Sequence, residues 1–135
     1  MTDRKNLVCA LLTAFLFASC LQEEDYGTTV IEISNNSSHN LYLSFKSQYD
    51  SAFEFADVAI SREQSVSVKK TVAFGGAFDP NWDFESVTFL SRDLPGTSAK
   101  KPAEGLFVFK GRGWLSKYEE QAVYSLTITD EMLGF

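Results

Sequence analysis

Thiols are scarce in this chain and badly placed for structural use. The two cysteines, Cys9 and Cys20, both fall within the first twenty residues. Residues 21–135 therefore have no disulfide, no thiolate metal ligand and no thiol nucleophile. Histidine is scarcer still. His39 stands alone, which leaves an imidazole zinc site short of ligands and acid–base catalysis with one candidate. It sits in a polar turn, and no serine lies in a Gly-x-Ser-x-Gly elbow, so a hydrolase ranks last among the readings. Basic residues are also few: 12 Lys and Arg face 18 Asp and Glu, a net charge of −6. No basic cluster stands out to attract nucleic acid or anionic lipid headgroups. The apolar run from Leu7 to Leu21 covers roughly fifteen residues. That falls short of the ~20 needed for a spanning helix.

What is present at the N-terminus is an ordered set of signals. Arg4-Lys5 precedes the apolar run, and the small residues Ala18-Ser19 precede Cys20. This order describes a secretory signal peptide over residues 1–19. A cysteine directly after it resembles the lipobox of bacterial lipoproteins, with Phe17 standing where Leu is commonest. The resemblance implies cleavage before Cys20 and acylation of its thiol and new amino group. Removal of Asp3, Arg4 and Lys5 leaves ten basic and seventeen acidic residues, a formal charge of −7. The membrane partner is then reached through acyl chains on Cys20, each buried methylene contributing ~0.8 kcal/mol. Residues 20–27 read as a lipidated acidic tether in which Glu23, Glu24 and Asp25 have no apolar partner and stay solvated. This run resembles the acidic export signal of surface lipoproteins in the Bacteroidota. That implies an outer-membrane anchor with the domain facing the cell exterior.

From residue 28 to 135 the chain reads as one all-β domain without internal repeats. Val30-Ile31-Glu32-Ile33 and Leu41-Tyr42-Leu43-Ser44-Phe45-Lys46 flank a turn of Asn and Ser and read as a hairpin-like pair. Phe53, Phe55, Val58 and Ile60 make a third run whose parity slips at Ala56-Asp57, predicting a bulge. Val66 and Val68 mark a fourth strand, and residues 86–90 a fifth. Leu106-Phe107-Val108-Phe109 is apolar on both parities, which predicts a central strand. Residues 122–128 form the last, with Tyr124, Leu126 and Ile128 on one face. Residues 94–105 read as a loop, and residues 115–120 as a short helical turn. About seven short strands predict an antiparallel β-sandwich, with a small β-barrel as the alternative. The expected core is Leu41, Leu43, Phe45, Val87, Phe89, Phe107, Phe109, Leu126 and Ile128. The runs Ile31-Glu32-Ile33-Ser34-Asn35-Asn36-Ser37-Ser38-His39, Ser86-Val87-Thr88-Phe89 and Tyr124-Ser125-Leu126-Thr127-Ile128-Thr129-Asp130-Glu131 are similar to strands and turns of small Bacteroidota lipoproteins. The resemblance implies a β-sandwich and carries over no catalytic residues.

Three patterns bear chemistry. Asp79-x-Asn81-x-Asp83 has the oxygen alternation that opens a calcium loop. Phe84 then stands where the loop needs Gly, and Leu90 where it needs a bidentate Glu, so an acidic loop leading into a strand competes with a metal site. Trp82, Trp114, Tyr118 and Tyr49 offer flat rings that either stack on a glycan or fill a core. Asp50-Ser51-Ala52 matches the Asp-Ser/Thr-apolar pattern of O-glycosylation in the Bacteroidota and marks Ser51 for modification. No cofactor motif accompanies them, and no cofactor or nucleic-acid partner is expected. The expected function is a non-catalytic, lipid-anchored surface module for binding or adhesion, with a glycan or protein as ligand. A structural part of the envelope or of a surface appendage is the alternative.

Overall fold

The computed structural model describes residues 26–48, 54–73 and 76–135; Cys20, the Glu23-Glu24-Asp25 run, Tyr49 and Ser51 lie outside the described residues. In chain order the elements are β1 (Tyr26–Asn35), β2 (Leu41–Ser47), β3 (Phe55–Ile60), β4 (Ser65–Ala73), α1 (Pro80–Asp83), β5 (Phe84–Ser91), β6 (Ser98–Pro102), β7 (Val108–Ser116), β8 (Glu119–Ile128) and α2 (Asp130–Leu133). The strands form two four-stranded sheets, β4-β1-β8-β7 and β3-β2-β5-β6. Neither sheet closes on itself, so the fold is a β-sandwich and not a barrel. All pairings are antiparallel except that of β1 with β8.

Period-two alternation builds the core from both sheets. Ile31 and Ile33 of β1 and Ala122, Tyr124, Leu126 and Ile128 of β8 face Leu41, Leu43 and Phe45 of β2 and Val87 and Phe89 of β5, all buried. One end is aromatic: Phe45, Phe84 and Phe107 meet at centroid distances of 5.4 to 6.0 Å. A register shift between Lys46 and Ser47 leaves Glu85 unpaired in β5, which brings Phe84 onto the core face with Val87 and Phe89. The bulge expected at Ala56-Asp57 is there. Both residues oppose Ser44 alone, Asp57 takes φ 51°, and its N–H donates to Ser44 Oγ at 3.2 Å.

Four expectations are corrected. β1 and β2 are not a hairpin but lie in opposite sheets, joined by a corner at residues 36–40. Alternation aims apolar side chains at the core in either arrangement, so the pattern does not distinguish them. The corner is held by Asn35, which is fully buried. Its Nδ2 donates to the His39 carbonyl at 2.8 Å, and its Oδ1 accepts from Ser37 N and Oγ at 3.0 and 2.6 Å. Residues 98–102 are a strand, β6, within the stretch read as loop; as an edge strand it needs no large apolar residue. Residues 115–120 hold the Lys117-Tyr118 turn of the β7–β8 hairpin in place of a helical turn. Finally, β7 is an edge strand and not a central one. Phe107 is buried just before it, but Phe109 is 53 % exposed and does not belong to the core.

Candidate functional site

The edge strand β7 carries the candidate side chains. Val108, Phe109, Trp114 and Leu115 are each more than half exposed, an unusual density of large apolar groups on one nine-residue strand. The ladder with β8 assigns their faces. Phe109 stands opposite Tyr124, Arg112 opposite Ala122 and Trp114 opposite Glu120. Directly opposed residues share a face, so Phe109, Arg112 and Trp114 lie on the side to which buried Tyr124 and Ala122 point. A register shift between Phe109 and Gly111 leaves Lys110 unpaired, and this extra residue puts Phe109 and Arg112 on one face although they are three apart. Phe109 meets the Tyr124 ring edge-on at 5.4 Å.

The segment leading into β5 brings carboxylates to this face. Thr29 Oγ1 donates to the Phe78 carbonyl at 2.7 Å, and Ala77 N donates to Glu120 Oε1 at 3.0 Å. α1 is then locked to the start of β7: Asn81 Nδ2 donates to the Phe107 carbonyl and Phe107 N donates to Asn81 Oδ1, both at 2.8 Å. The carboxamide thus mimics a strand's paired amide. Asp79 caps the turn, accepting from Asn81 N at 2.9 Å, and its own N–H donates to Asp83 Oδ2 at 3.1 Å.

Electrostatics tie α1 to the hairpin. Burial raises the Tyr124 phenol's pKa, the negative charge of Asp79 raises it further, and the charge and hydrogen bond of Arg112 pull it back. Arg112 Nη1 lies 3.9 Å from Glu120 Oε1. Burial also raises the Asp83 carboxyl, with the Asp79 N–H opposing the shift. Asp79, Asp83, Arg112, Glu120 and Tyr124 therefore form one polar patch. Trp114, 60 % exposed, stands on this face opposite Glu120, whereas Trp82, 67 % exposed on α1, lines a hollow with Gln48, Glu85, Pro102 and Glu104. Between Phe107, where α1 is pinned, and Trp114 the strand runs for ~20 Å at the usual rise. The result is an elongated, ring-bordered platform held by hydrogen bonds at both margins.

The sequence candidates fare unequally. Trp82 and Trp114 are both exposed, and of the two Trp114 lies on the platform. Tyr118 is half-buried in the hairpin turn, with Lys117 Nζ 5.1 Å from its ring centroid and its carbonyl accepting from Tyr26 N, which serves the turn and β1. Asp79 and Asn81 spend side-chain oxygens on the cap and on Phe107. Among the described residues no three His, Cys, Asp or Glu side chains are placed to hold a metal ion. His39 packs edge-on against Phe135 at 5.0 Å, and its Nε2 is 3.9 Å from Asp130 Oδ1. Ser38 Oγ donates to that same Asp130 oxygen at 3.0 Å, so the three side chains do not make a Ser–His–Asp relay. Sequence reading missed Phe109, Arg112, Glu120 and Tyr124 as site residues. The alternation of Gly111 and Gly113 with Arg112 and Trp114 was the available signal, since a strand interrupted by glycines packs poorly as a central one. No protein-family model matches the chain, and a search of curated proteins found no similar sequence.

Proposed function

We propose that this protein is a lipid-anchored module of the outer cell surface that binds its ligand on the β7–α1 platform without catalysing a reaction. The observation that carries the reading is the exposure of Phe109 and Trp114 beside Arg112 and the carboxylates of α1 and β8. Large rings left in water on a preformed scaffold cost solubility, and a surface that binds offsets that cost. The basic start, apolar run and Cys20 support the anchor, and Glu23, Glu24 and Asp25 support display outside the cell. The engagement of Asp130 by Ser38 supports a structural place for His39.

Anchor, display and binding are tested separately. Cys20→Ala abolishes metabolic palmitate labelling and membrane fractionation; labelling that persists refutes the anchor. Replacing Glu23, Glu24 and Asp25 with Ala leaves the protein lipidated but sheltered from protease added to intact cells; unchanged shaving reduces the run to a tether. For binding, the immobilised mature domain is exposed to surface extracts and to polysaccharide from the growth medium. Phe109→Ala with Trp114→Ala removes the retained component while leaving the circular dichroism spectrum unchanged. Retention that survives the double variant overturns the platform as the binding face.

A further inference from the structure

Resting on the platform as the binding face, we infer that its ligand is an uncharged oligosaccharide longer than a disaccharide. The rings set the first condition. Phe109 and Trp114 share a face and are separated by Gly111, Arg112 and Gly113 with Lys110 bulged out, on the order of 13 Å along the strand. That exceeds a single sugar ring, so one monosaccharide cannot touch both. A chain whose rings present flat C–H faces can stack on each, because an aromatic face carries partial negative charge and those C–H edges partial positive charge.

The polar groups set the second condition. Arg112 offers only donors, and Glu120, Asp79 and Asp83 offer acceptors when ionised. A ligand satisfying this mixture needs groups that donate and accept from the same atom, closely spaced along a stiff chain. Sugar hydroxyls have that property. A simple apolar peptide or acyl chain would leave the carboxylates and the guanidinium desolvated and unpaired.

Charge sets the third condition. The Asp79 and Asp83 charges act on Tyr124 and the Glu120 carboxylate lies 3.9 Å from Arg112, three acids to one guanidinium within a chain of net −6. Uronic-acid and sulfated chains, nucleic acids and anionic headgroups meet repulsion there. Neutral chains do not.

The test is calorimetric titration of the mature domain with cellohexaose, xylohexaose, mannohexaose, laminarihexaose and, as the charged comparison, hexagalacturonate, followed by the shorter members of any series that binds. Binding of a neutral hexasaccharide is expected, weakening as the chain shortens to the disaccharide. Trp114→Ala and Arg112→Ala each reduce it on the order of tenfold, whereas Tyr42→Ala, on the outer face of the other sheet, leaves it unchanged. The melting temperature of each variant verifies folding. Absence of binding to every neutral hexasaccharide at millimolar concentration overturns the inference, as does preference for hexagalacturonate or indifference to both platform variants. The underlying binding reading fails on its own terms if the Phe109→Ala, Trp114→Ala double variant retains the natural ligand. If that ligand is lost from the double variant but is destroyed by protease and not by glycosidases, the platform stands and the saccharide inference falls.

Discussion

Asn35 shows how one polar side chain can decide a fold's path. It is fully buried, and its carboxamide is used on both sides, by the His39 carbonyl and by Ser37. Its backbone N–H donates to the Gln64 carbonyl, and its own carbonyl accepts from Glu63 N, joining the β1–β2 corner to the β3–β4 connection. Asn35→Ala strands several buried partners at once, and a loss of about 2–4 kcal/mol in urea unfolding is expected. The two rings Phe89 and Phe109 offer a contrast. Truncating fully buried Phe89 to Ala is expected to cost roughly 3–5 kcal/mol. Phe109→Ala should cost no more than about 1 kcal/mol, because half of its ring already meets water. Equal costs would return Phe109 to the core. Acid sensitivity resides in two exposed carboxylates. Asn40 N–H and Nδ2 hold Asp93 below the usual aspartate range, and Ser38 N–H and Oγ, with His39 nearby, do the same for Asp130. A folded-state pKa below the unfolded one contributes stability that is present above the unfolded pKa and lost as pH falls through the folded value. Asp83, raised by burial, has the opposite sign: ionising it opposes folding near neutrality, and acid relieves this. Asp93→Asn should therefore lower stability at pH 7 and flatten the acid limb below about pH 4. An unchanged slope between pH 2 and 5 would show that these bonds contribute nothing.

Strands and connections carry a second layer of constraint. β1 is central in its sheet, with β4 on one side and β8 on the other, and the segment at residues 76–79 lies across its start. Gly27 permits that crossing: a Cβ there would overlap the backbone of Gly76 and Ala77. Backbone has nowhere to retreat, so Gly27→Ala should cost roughly 1–3 kcal/mol and loosen the approach to α1. Faster proteolysis within residues 76–79 would report it, and wild-type resistance would show that the contact yields freely. The α1 latch is a smaller case. Asn81→Ala removes two hydrogen bonds to Phe107 and should loosen α1, with its cap Asp79, from the start of β7, measurable as changed Trp82 fluorescence. Element existence was largely legible in the chain: residues 41–46, 65–68, 86–90 and 122–128 alternate, and each is a strand. β6 was not legible, because Ser98-Ala99-Lys100-Lys101 has no large apolar residue on either parity and owes its conformation to pairing with β5.

Across the whole molecule, stability comes from burying two inner faces against each other without a disulfide in the domain. The proposed lipidation at Cys20 uses no side chain of that core, so the Cys20→Ala domain should unfold at the same temperature as the delipidated mature domain; a drop of several degrees would tie the N-terminus to folding. The all-β class, the bulge at Ala56-Asp57 and eight of the nine expected core residues could be read directly from residue types, since alternation and β-branched or aromatic content are local properties. Which strand neighbours which is not local. β1 meets β8 across Tyr26 and Glu119, at opposite ends of the domain, and the alternation of β1 and β2 suits a hairpin and an inter-sheet corner alike. The same holds for β7. Leu106-Phe107-Val108-Phe109 reads as two-sided apolar strand, but sheet order places β7 at an edge and leaves Phe109 half in water. The platform follows from that placement. Asp79 and Asp83 come near Arg112 and Tyr124 only because a connection crosses β1 and Asn81 pairs with the backbone at Phe107. Pairing between distant segments is settled by the total apolar area buried and the backbone bonds satisfied, quantities that belong to the assembled sheets and to no single stretch of chain.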